Sequence, residues 1–258
     1  MIALDLFSGA CGGWTLGLHR AGIETVAACE IDPWRRAVYS RNFPHVKMYD
    51  DVRTLTAERM RADGLGTIDV LAGSPPCQDA SIARRGKRNG IAGEQTGLFH
   101  EFIRLVSELR PRWVCAENVP GLVGVGADKI CAAVEAQAYR TWVVEMGAED
   151  FGSTCKRRRL WFVALADADQ EGLEDAWRQS RAAGQDWIGS VVGGLQAPGN
   201  PWLAGEADAV GMAARIPAHV VGGRSIAAYG DAVVPQITEA IGRAVIALDA
   251  ARAAGVAS

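Results

Sequence analysis

A cysteine held on a rigid turn is the group in this sequence best suited to nucleophilic chemistry. Cys77 follows Pro75 and Pro76, and Gly73 and Ser74 connect these prolines to the apolar run 68–72. The run predicts a buried strand, and consecutive prolines forbid a helix after it, so the thiol is presented at a fixed point beyond the carboxyl end of a strand. Open α/β sheets carry their chemistry at that edge. The pattern therefore favours a functional cysteine over a buried structural one.

Two basic runs accompany this cysteine. A glycine-rich segment directly after it carries Arg84, Arg85, Lys87 and Arg88, and a second run occupies residues 156–159. Alternation along an extended chain would send Arg157 and Arg159 to one face. The chain has 27 lysines and arginines against 30 acidic residues, a net charge of −3, so it is not a globally basic nucleic-acid binder. Any contact with nucleic acid must use these two local patches.

A carboxylate follows a third apolar run. Residues 113–116 predict a buried strand, and Glu117 stands at its end. Burying a carboxylate is costly unless the group is paired or used, so Glu117 is a candidate for an active-site acid. An exposed loop carboxylate is the alternative interpretation.

The amino-terminal segment predicts a site for a nucleotide-like ligand. An opening strand, 2–7, runs into a glycine turn and an apolar helical pattern that ends near Gly22. This order lets a ligand approach backbone N–H groups at the start of a helix. The second strand, 25–29, ends in Glu30, which can accept hydrogen bonds from both hydroxyls of a ribose. Asp32-Pro33 predicts the start of the next helix, and Asp51 is a carboxylate at a strand edge that could accept from an adenine amino group.

The remaining patterns complete an α/β arrangement. Apolar periodicity predicts helices over 98–110 and 128–138, strands over 141–145 and 160–164, and a final helix from 235 to about 254. Residues 167–215 are rich in Gly, Ala, Asp and Trp and have little periodicity. A secretory leader and a long uncharged apolar run are both missing from the sequence, and its six cysteines have no zinc-like spacing, which favours a reducing cytoplasm.

Taken in order, these segments resemble the motifs of the C5-cytosine DNA methyltransferases. The catalytic signature of that family is Pro-Cys-Gln with a serine three residues later, and it is matched by Pro76, Cys77, Gln78 and Ser81. Glu117-Asn118-Val119 matches the next motif. Arg157 and Arg159 match the arginines of Gln-x-Arg-x-Arg, in which Cys155 replaces the glutamine. Residues 230–235 match Gly-Asn-Ala-Val-x-Pro except that Asp231 replaces the asparagine.

The resemblance implies an α/β fold, that of a Rossmann-like, S-adenosylmethionine-dependent methyltransferase. We expect a mixed sheet with helices on both faces and a small irregular target-recognition insert. The implied divisions are a catalytic and cofactor-binding domain over 1–165, a short target-recognition region over 166–217, and a C-terminal segment over 218–258 that returns to the catalytic domain.

The cofactor implied by the resemblance is S-adenosylmethionine, with S-adenosylhomocysteine as the product. NAD is disfavoured because the glycine pattern is not Gly-x-Gly-x-x-Gly, although the first motif has one extra residue before its glycine pair. The cofactor contacts carried over from the family are Asp5, Phe7, Ser8, Gly9, Gly12, Gly13, Glu30, Ile31, Asp51, Pro75, Leu98, Asp231, Ala232 and Val233.

The implied activity is that of a DNA (cytosine-5-)-methyltransferase of the restriction–modification type. Methyl would be transferred to carbon 5 of a flipped cytosine in double-stranded DNA through a covalent bond between Cys77 and carbon 6. The catalytic residues are then Cys77, Glu117, Arg157 and Arg159. DNA contacts are expected at Ser81, Arg84, Arg85, Lys87, Arg88 and Lys156. We further expect a monomer without metal or membrane attachment, in the cytoplasm of a bacterial or phage-infected cell.

Three alternatives stay open at this point. The same chemistry serves cytosine in tRNA in a relative, so RNA is a rival substrate. Cys155 and Asp231 depart from the motifs, which leaves room for a catalytically silent DNA-binding homologue. Asp231 also leaves room for transfer of a group other than methyl from a modified cofactor.

Overall fold

The computed structural model describes residues 1–76, 98–124, 126–153, 155–166 and 232–255. The predicted insert over 166–217 lies almost entirely outside these residues, as do Cys77, Asp231 and the basic segment that contains Arg84. The predicted domain division therefore stays a prediction.

Within the described residues, seven strands form one mixed sheet. They are β1 (Ile2–Leu6), β2 (Glu24–Cys29), β3 (Lys47–Tyr49), β4 (Val70–Gly73), β5 (Trp113–Asn118), β6 (Tyr139–Met146) and β7 (Arg159–Ala166). Their order across the sheet is β3-β2-β1-β4-β5-β7-β6. The first five strands pair in parallel, and β7 runs antiparallel to both β5 and β6. The strand order reverses between β1 and β4, and ligands of open α/β sheets bind at the carboxyl ends beside such a reversal.

The described helices are α1 (Gly13–Ala21), α2 (Pro33–Asn42), α3 (Ala57–Ala62), α4 (Leu98–Leu109), α5 (Ala127–Glu135) and α6 (Pro235–Gly255). Helix α1 lies between two glycines in the left-handed conformation, Gly12 and Gly22. The Asp32 carboxylate caps α2 by accepting from the backbone N–H groups of Trp34 and Arg35. The start of α2 at Asp32 and the end of α1 at Gly22 were predicted from the sequence, because aspartate caps helix starts and glycine readily adopts the left-handed conformation at helix ends.

Helices cover both faces of the sheet, as predicted. One face packs Leu4, Leu71 and Phe102 into a core that also takes side chains from α3, α4 and α5. The other face packs Trp14, Trp161 and Ile241, and draws on α1 and α6. The sheet is therefore buried on both sides, which explains why its parallel strands read as continuous apolar runs.

Several predicted boundaries were wrong, and three of them have a clear structural reason. Strand β4 begins at Val70, two residues later than expected, and the Asp69 carboxylate accepts from the backbone N–H of Ile2 at 2.7 Å. Strand β5 continues through Glu117 and Asn118, because β7 pairs with it to its end. Helix α5 ends at Glu135, since the chain turns into β6 through Ala138 with a positive φ of 63°.

Across the described ranges, no helix is long and apolar enough to cross a membrane. The same residues contain no group of three or more His, Cys, Asp or Glu side chains that could hold a metal ion.

Candidate active site

A cavity of about 590 Å³ opens at the carboxyl ends of β1, β2, β4 and β5. It lies at the reversal in strand order, where the topology predicts a ligand site. Of the predicted site residues, those in its lining are Phe7, Ser8, Gly9, Glu30, Ile31, Asp51, Pro75, Leu98, Glu117, Arg157, Arg159, Ala232 and Val233. The structure thus brings ten of the fourteen predicted cofactor contacts and three of the four predicted catalytic residues together in one space.

Glu30 is the anchored carboxylate at one end of this cavity. It is buried, and its two oxygens accept from the backbone N–H groups of Gly9 and Asp32, each at 2.9 Å. Each oxygen keeps a further lone pair, so the carboxylate can still accept from a ligand. A diol such as that of a ribose fits this arrangement.

The turn after β1 lines the cavity with Phe7, Ser8 and Gly9. Phe7 and Gly9 both have positive φ, 56° and 65°, so the chain bends sharply at this point. The Ser8 hydroxyl is buried and has no hydrogen-bond partner among the described residues. A buried hydroxyl without a partner is costly, so a polar ligand group in the cavity would satisfy it. This observation fits a cofactor with polar substituents, such as S-adenosylmethionine.

Asp51 follows β3 at the rim of the same end. Its carboxylate makes an ion pair with Arg53 at 2.7 Å, and this partner lowers the pKa of Asp51. Its neighbour Asp50 is largely exposed and pairs with Arg59 at 3.8 Å. The structure therefore places Asp51, the predicted member of the pair, in the lining. Ile31, the predicted cover for an adenine ring, stands beside it with 59% of its surface exposed.

Asp5, Gly12 and Gly13 lie beneath this end of the cavity rather than in its lining. Asp5 is fully buried and accepts from the backbone and hydroxyl of Thr15, at 3.3 and 2.8 Å. Burial raises the pKa of Asp5 to about 7. A side chain at Gly13 would come within 2.3 Å of the Val233 carbonyl oxygen, so glycine lets the segment before α6 pack against α1. These three residues support the turn between β1 and α1 without lining the cavity.

A buried ion pair occupies the opposite end. The Arg159 Nε lies 2.8 Å from a Glu117 oxygen, and Glu117 is only 7% exposed. Burial raises the pKa of Glu117, while the charges of Arg159 and Arg157 and a hydrogen bond from Ser74 oppose that shift. Glu117 is therefore a carboxyl group in a dry site whose protonation depends on its neighbours.

The basic run divides between two faces, as alternation predicts. Arg157 and Arg159 line the cavity, and Arg158 points away from it. Arg158 contacts Glu145 at 2.6 Å, Glu149 at 2.9 Å and Asp150 at 3.8 Å. The backbone N–H of Arg157 also donates to Glu149, at 3.2 Å. This acidic clip, formed by Glu145, Glu149 and Asp150, fixes the segment that carries the two cavity-lining arginines.

The turn before Cys77 is tied to β5. The Asn118 side chain donates to the Pro75 carbonyl at 3.2 Å and accepts from the Val119 backbone N–H at 2.9 Å. The Pro-Pro turn is thus fixed next to Glu117, on the neighbouring strand. Cys77 itself lies outside the described residues, together with Ser81, Arg84, Arg85, Lys87, Arg88 and Asp231. Lys156 is described and is exposed at the surface.

Several lining residues were missed by the sequence reasoning. They are Ala10, Cys11, Cys29, Asp32, Arg35, Val52, Ser74, Pro76, Asn118 and Val119. Most of them are neighbours of predicted residues, and proximity along the chain could have found them. Arg35 is different, because it enters from α2 and no motif marks it.

Solved structures with the same arrangement define the class of fold. A protein encoded within an E. coli prophage, assigned as a DNA modification methyltransferase, is 32% identical with a TM-score of 0.55, over 65% of this chain and 47% of that one. A DNMT2 mutant of Spodoptera frugiperda is 23% identical with a TM-score of 0.52, over 64% of this chain and 50% of its own, and supports the fold alone. The fold is that of the Rossmann-like, S-adenosylmethionine-dependent methyltransferases, as predicted.

Comparison of sequences identifies the family. The C-5 cytosine-specific DNA methylase family matches residues 1–190 of this chain. The type II methyltransferase M2.BsuMI of Bacillus subtilis is 34% identical over 181 residues, which are 67% of this chain and 44% of the relative. M.AquIA of Picosynechococcus is 32% identical over 62% of this chain and 70% of its own. This chain belongs to the C-5 cytosine-specific DNA methylase family. It spans less than half the length of M2.BsuMI and of M1.HphI from Haemophilus parahaemolyticus.

Proposed function

We propose that this protein transfers a methyl group from S-adenosylmethionine to carbon 5 of cytosine in double-stranded DNA. The observation that carries the proposal is the buried Glu117–Arg159 pair, which shares one cavity with the Glu30 carboxylate and stands beside the turn that leads to Cys77. Family membership supports the reaction class, and the type II relatives suggest a place in restriction–modification.

The cofactor would occupy the end of the cavity that Glu30 defines. Glu30 would accept from the ribose hydroxyls, Asp51 would accept from the adenine amino group, and Ile31 would cover the ring. The Ser8 hydroxyl and the turn at Gly9 would face the polar amino-acid end. When bound, S-adenosylmethionine supplies an electrophilic methyl group, and no metal is needed for its transfer.

Cytosine would occupy the opposite end, out of the duplex. Extruding a base costs a few kcal/mol, which contacts in the pocket offset. Carbon 5 of cytosine is a weak nucleophile, and addition of the Cys77 thiolate to carbon 6 makes it enamine-like. Glu117, in its protonated form, would donate its proton to N3 and accept from the exocyclic amine, so charge is neutralised as the thiolate adds. After methyl transfer, loss of the carbon 5 proton to water would expel the Cys77 thiolate and restore the double bond. Arg159, with Arg157, would contact the base carbonyl and a nearby phosphate, and their charge favours the thiolate.

DNA outside the pocket would meet the basic patches. Arg84, Arg85, Lys87, Arg88 and Lys156 would contact phosphates, with Ser81 at the edge of the site. Such contacts contribute affinity that falls steeply with salt and carries little sequence preference. The recognised sequence would then be read by residues outside this set.

The test is transfer of labelled methyl from S-adenosylmethionine to unmethylated duplex DNA, followed by base-resolution mapping of 5-methylcytosine. We expect label on cytosine and none with Glu117→Gln at the same protein concentration. Label on tRNA instead of DNA would replace the DNA proposal with the RNA alternative. Cofactor binding without transfer to either substrate would contradict the activity and favour a silent homologue or another transferred group.

A further inference from the structure

Helix α1 is connected to Glu117 by side chains outside the predicted catalytic set. The Trp14 indole Nε1–H donates to the Ser74 hydroxyl oxygen at 3.2 Å. Ser74 in turn hydrogen-bonds the Glu117 carboxylate and lowers the pKa of that group. Trp14 lies in the first turn of α1, Ser74 follows β4, and Glu117 lies in β5. Three elements distant in sequence therefore meet in one chain of hydrogen bonds.

The direction of this chain follows from donor chemistry. An indole N–H can only donate, so the Ser74 oxygen is the acceptor of the first bond. A hydroxyl has a single proton, and an ionised carboxylate can only accept, so the Ser74 proton is directed at Glu117. The Trp14 N–H occupies a lone pair of the hydroxyl oxygen, and polarisation along the chain strengthens the second bond.

The aromatic packing fixes the indole in this position. Trp14 is 1% exposed and meets Trp161 edge to face, with ring centroids 5.7 Å apart. Trp161 stands opposite Glu117 in the β5–β7 ladder, and its own indole N–H donates to the Met146 carbonyl at 3.2 Å. The two tryptophans thus form one buried pair, of which only Trp14 reaches Ser74 among the described contacts.

We propose that Trp14 and Ser74 form a positioning relay that holds the Glu117 carboxylate in the orientation that cytosine requires. The proposal rests on the proposed function, because it assumes that Glu117 meets the base. Arg159 holds one side of that carboxylate, and the relay holds the other. The relay also connects the base end of the cavity to α1, the helix that follows the turn at Gly9.

The charged groups that face Glu117 are Arg159 in β7 and Arg157 just before it, and both remain in the variants that test the relay. Ser74→Ala removes a donor to the ionised carboxylate, so the Glu117 pKa should rise. The kcat for methyl transfer should fall about ten-fold, with little change in the KM for S-adenosylmethionine. Ser74→Thr keeps the hydroxyl, so its Glu117 pKa and its kcat should both stay close to those of the wild type.

Trp14→Phe keeps an aromatic ring and removes the N–H. It should therefore raise the Glu117 pKa and lower kcat, each by less than Ser74→Ala does. In the Ser74→Ala background, Trp14→Phe should add nothing to the pKa. Trp161→Phe is the matched control, because it removes an indole N–H from the same buried pair without touching Ser74. It should lower thermal stability and leave the Glu117 pKa in place.

The Glu117 pKa is measured by carboxyl carbon NMR on the full chain without DNA, and kcat and KM are measured separately. An unchanged pKa in Ser74→Ala, or equal shifts in Trp14→Phe and Trp161→Phe, would overturn the relay even if methyl transfer proceeds. Absence of methyl transfer by the wild type would overturn the proposed function instead, and the NMR shifts would still decide whether the relay exists.

Discussion

The two ends of the cavity hold their carboxylates in different ways. Glu30 is bound by two backbone N–H groups, from Gly9 and Asp32, both within 21 residues of it along the chain. Glu117 is held by the side chains of Arg159 and Ser74, which come from β7 and from the turn after β4. Backbone donors are set by the local fold, whereas side-chain donors depend on the packing of distant strands. Substitutions at the first end should therefore alter cofactor affinity, and those at the second should alter the chemical step.

The largest effect is expected at the buried ion pair. Arg159→Ala would leave the Glu117 carboxylate buried beside Arg157 alone, so its pKa should rise and kcat should fall about 10²- to 10³-fold. Removing one partner of a buried pair also costs about 3 kcal/mol of folding stability. Steady-state kinetics and urea unfolding measure the two effects.

The matched control for Arg159→Ala also removes the negative charge of Glu117. Arg159→Ala combined with Glu117→Gln should unfold at higher urea concentration than Arg159→Ala alone, because no unpaired carboxylate is left. A double variant that is less stable than the single one would show that the ion pair does not account for the loss.

The next effect concerns the opposite end. Glu30→Gln places an amide NH₂ against one of the two backbone donors and removes the negative charge, so the affinity for S-adenosylhomocysteine should fall about 30-fold, as expected for the loss of hydrogen bonds to a charged acceptor. Isothermal titration calorimetry measures the affinity. At saturating cofactor the kcat should fall much less than the affinity. If kcat fell as strongly as the affinity, the proposed division between the two ends would be wrong.

Two substitutions in the basic run distinguish the positioning of Arg157 and Arg159 from DNA affinity, because Arg158 is held by the acidic clip and Lys156 is exposed. Arg158→Gln and Lys156→Gln each remove one positive charge from the same run. Arg158→Gln should release the segment that carries Arg157 and Arg159 and lower kcat about ten-fold. Lys156→Gln should act mainly on DNA binding and reduce the slope of log K against log salt by about one. Equal effects of both variants on the salt slope would mean that Arg158 serves as a phosphate contact.

The smallest effect on activity is expected from Asp5, beneath the cofactor end. Its pKa is raised by burial, and secondarily by the charge of Glu30, from 3.8 to about 7. The folded state therefore binds the proton more tightly, and the contribution of this group to stability falls as pH rises from 4 to 7. Asp5→Asn should flatten the pH dependence of the free energy of unfolding in that window, measured by urea titration. An unchanged pH dependence in Asp5→Asn would mean that a group other than Asp5 is responsible for it.

The sequence predicted those parts of the site that local chemistry determines. Glu30 at the end of its strand, the helix end at Gly22, the helix start at Asp32, and the side on which Arg157 and Arg159 lie all follow from turn residues, capping and strand alternation. Glu117 follows from the apolar strand before it, and the family motifs added the order of the elements. These positions were predictable because each depends on a few consecutive residues.

The contacts that sequence reasoning missed join distant segments. Nothing local indicates that Trp14 reaches Ser74, that Asn118 holds the Pro75 carbonyl, or that Arg158 meets Glu145. The extension of β5 through Glu117 was also missed, because it depends on pairing with β7. Asp5 was expected to touch the cofactor, yet its position beneath the turn depends on how α1 packs over β1.

The central claim is that this cavity aligns a cysteine nucleophile with a cytosine, and covalent trapping tests it most directly. Duplex DNA containing 5-fluorocytosine cannot release the enzyme after methyl transfer, because the fluorine blocks the final elimination. With S-adenosylmethionine, the wild type should form a DNA–protein complex that survives denaturing electrophoresis, and Cys77→Ser should form none. A stable complex with Cys77→Ser, or none with the wild type on DNA that it methylates, would contradict the account.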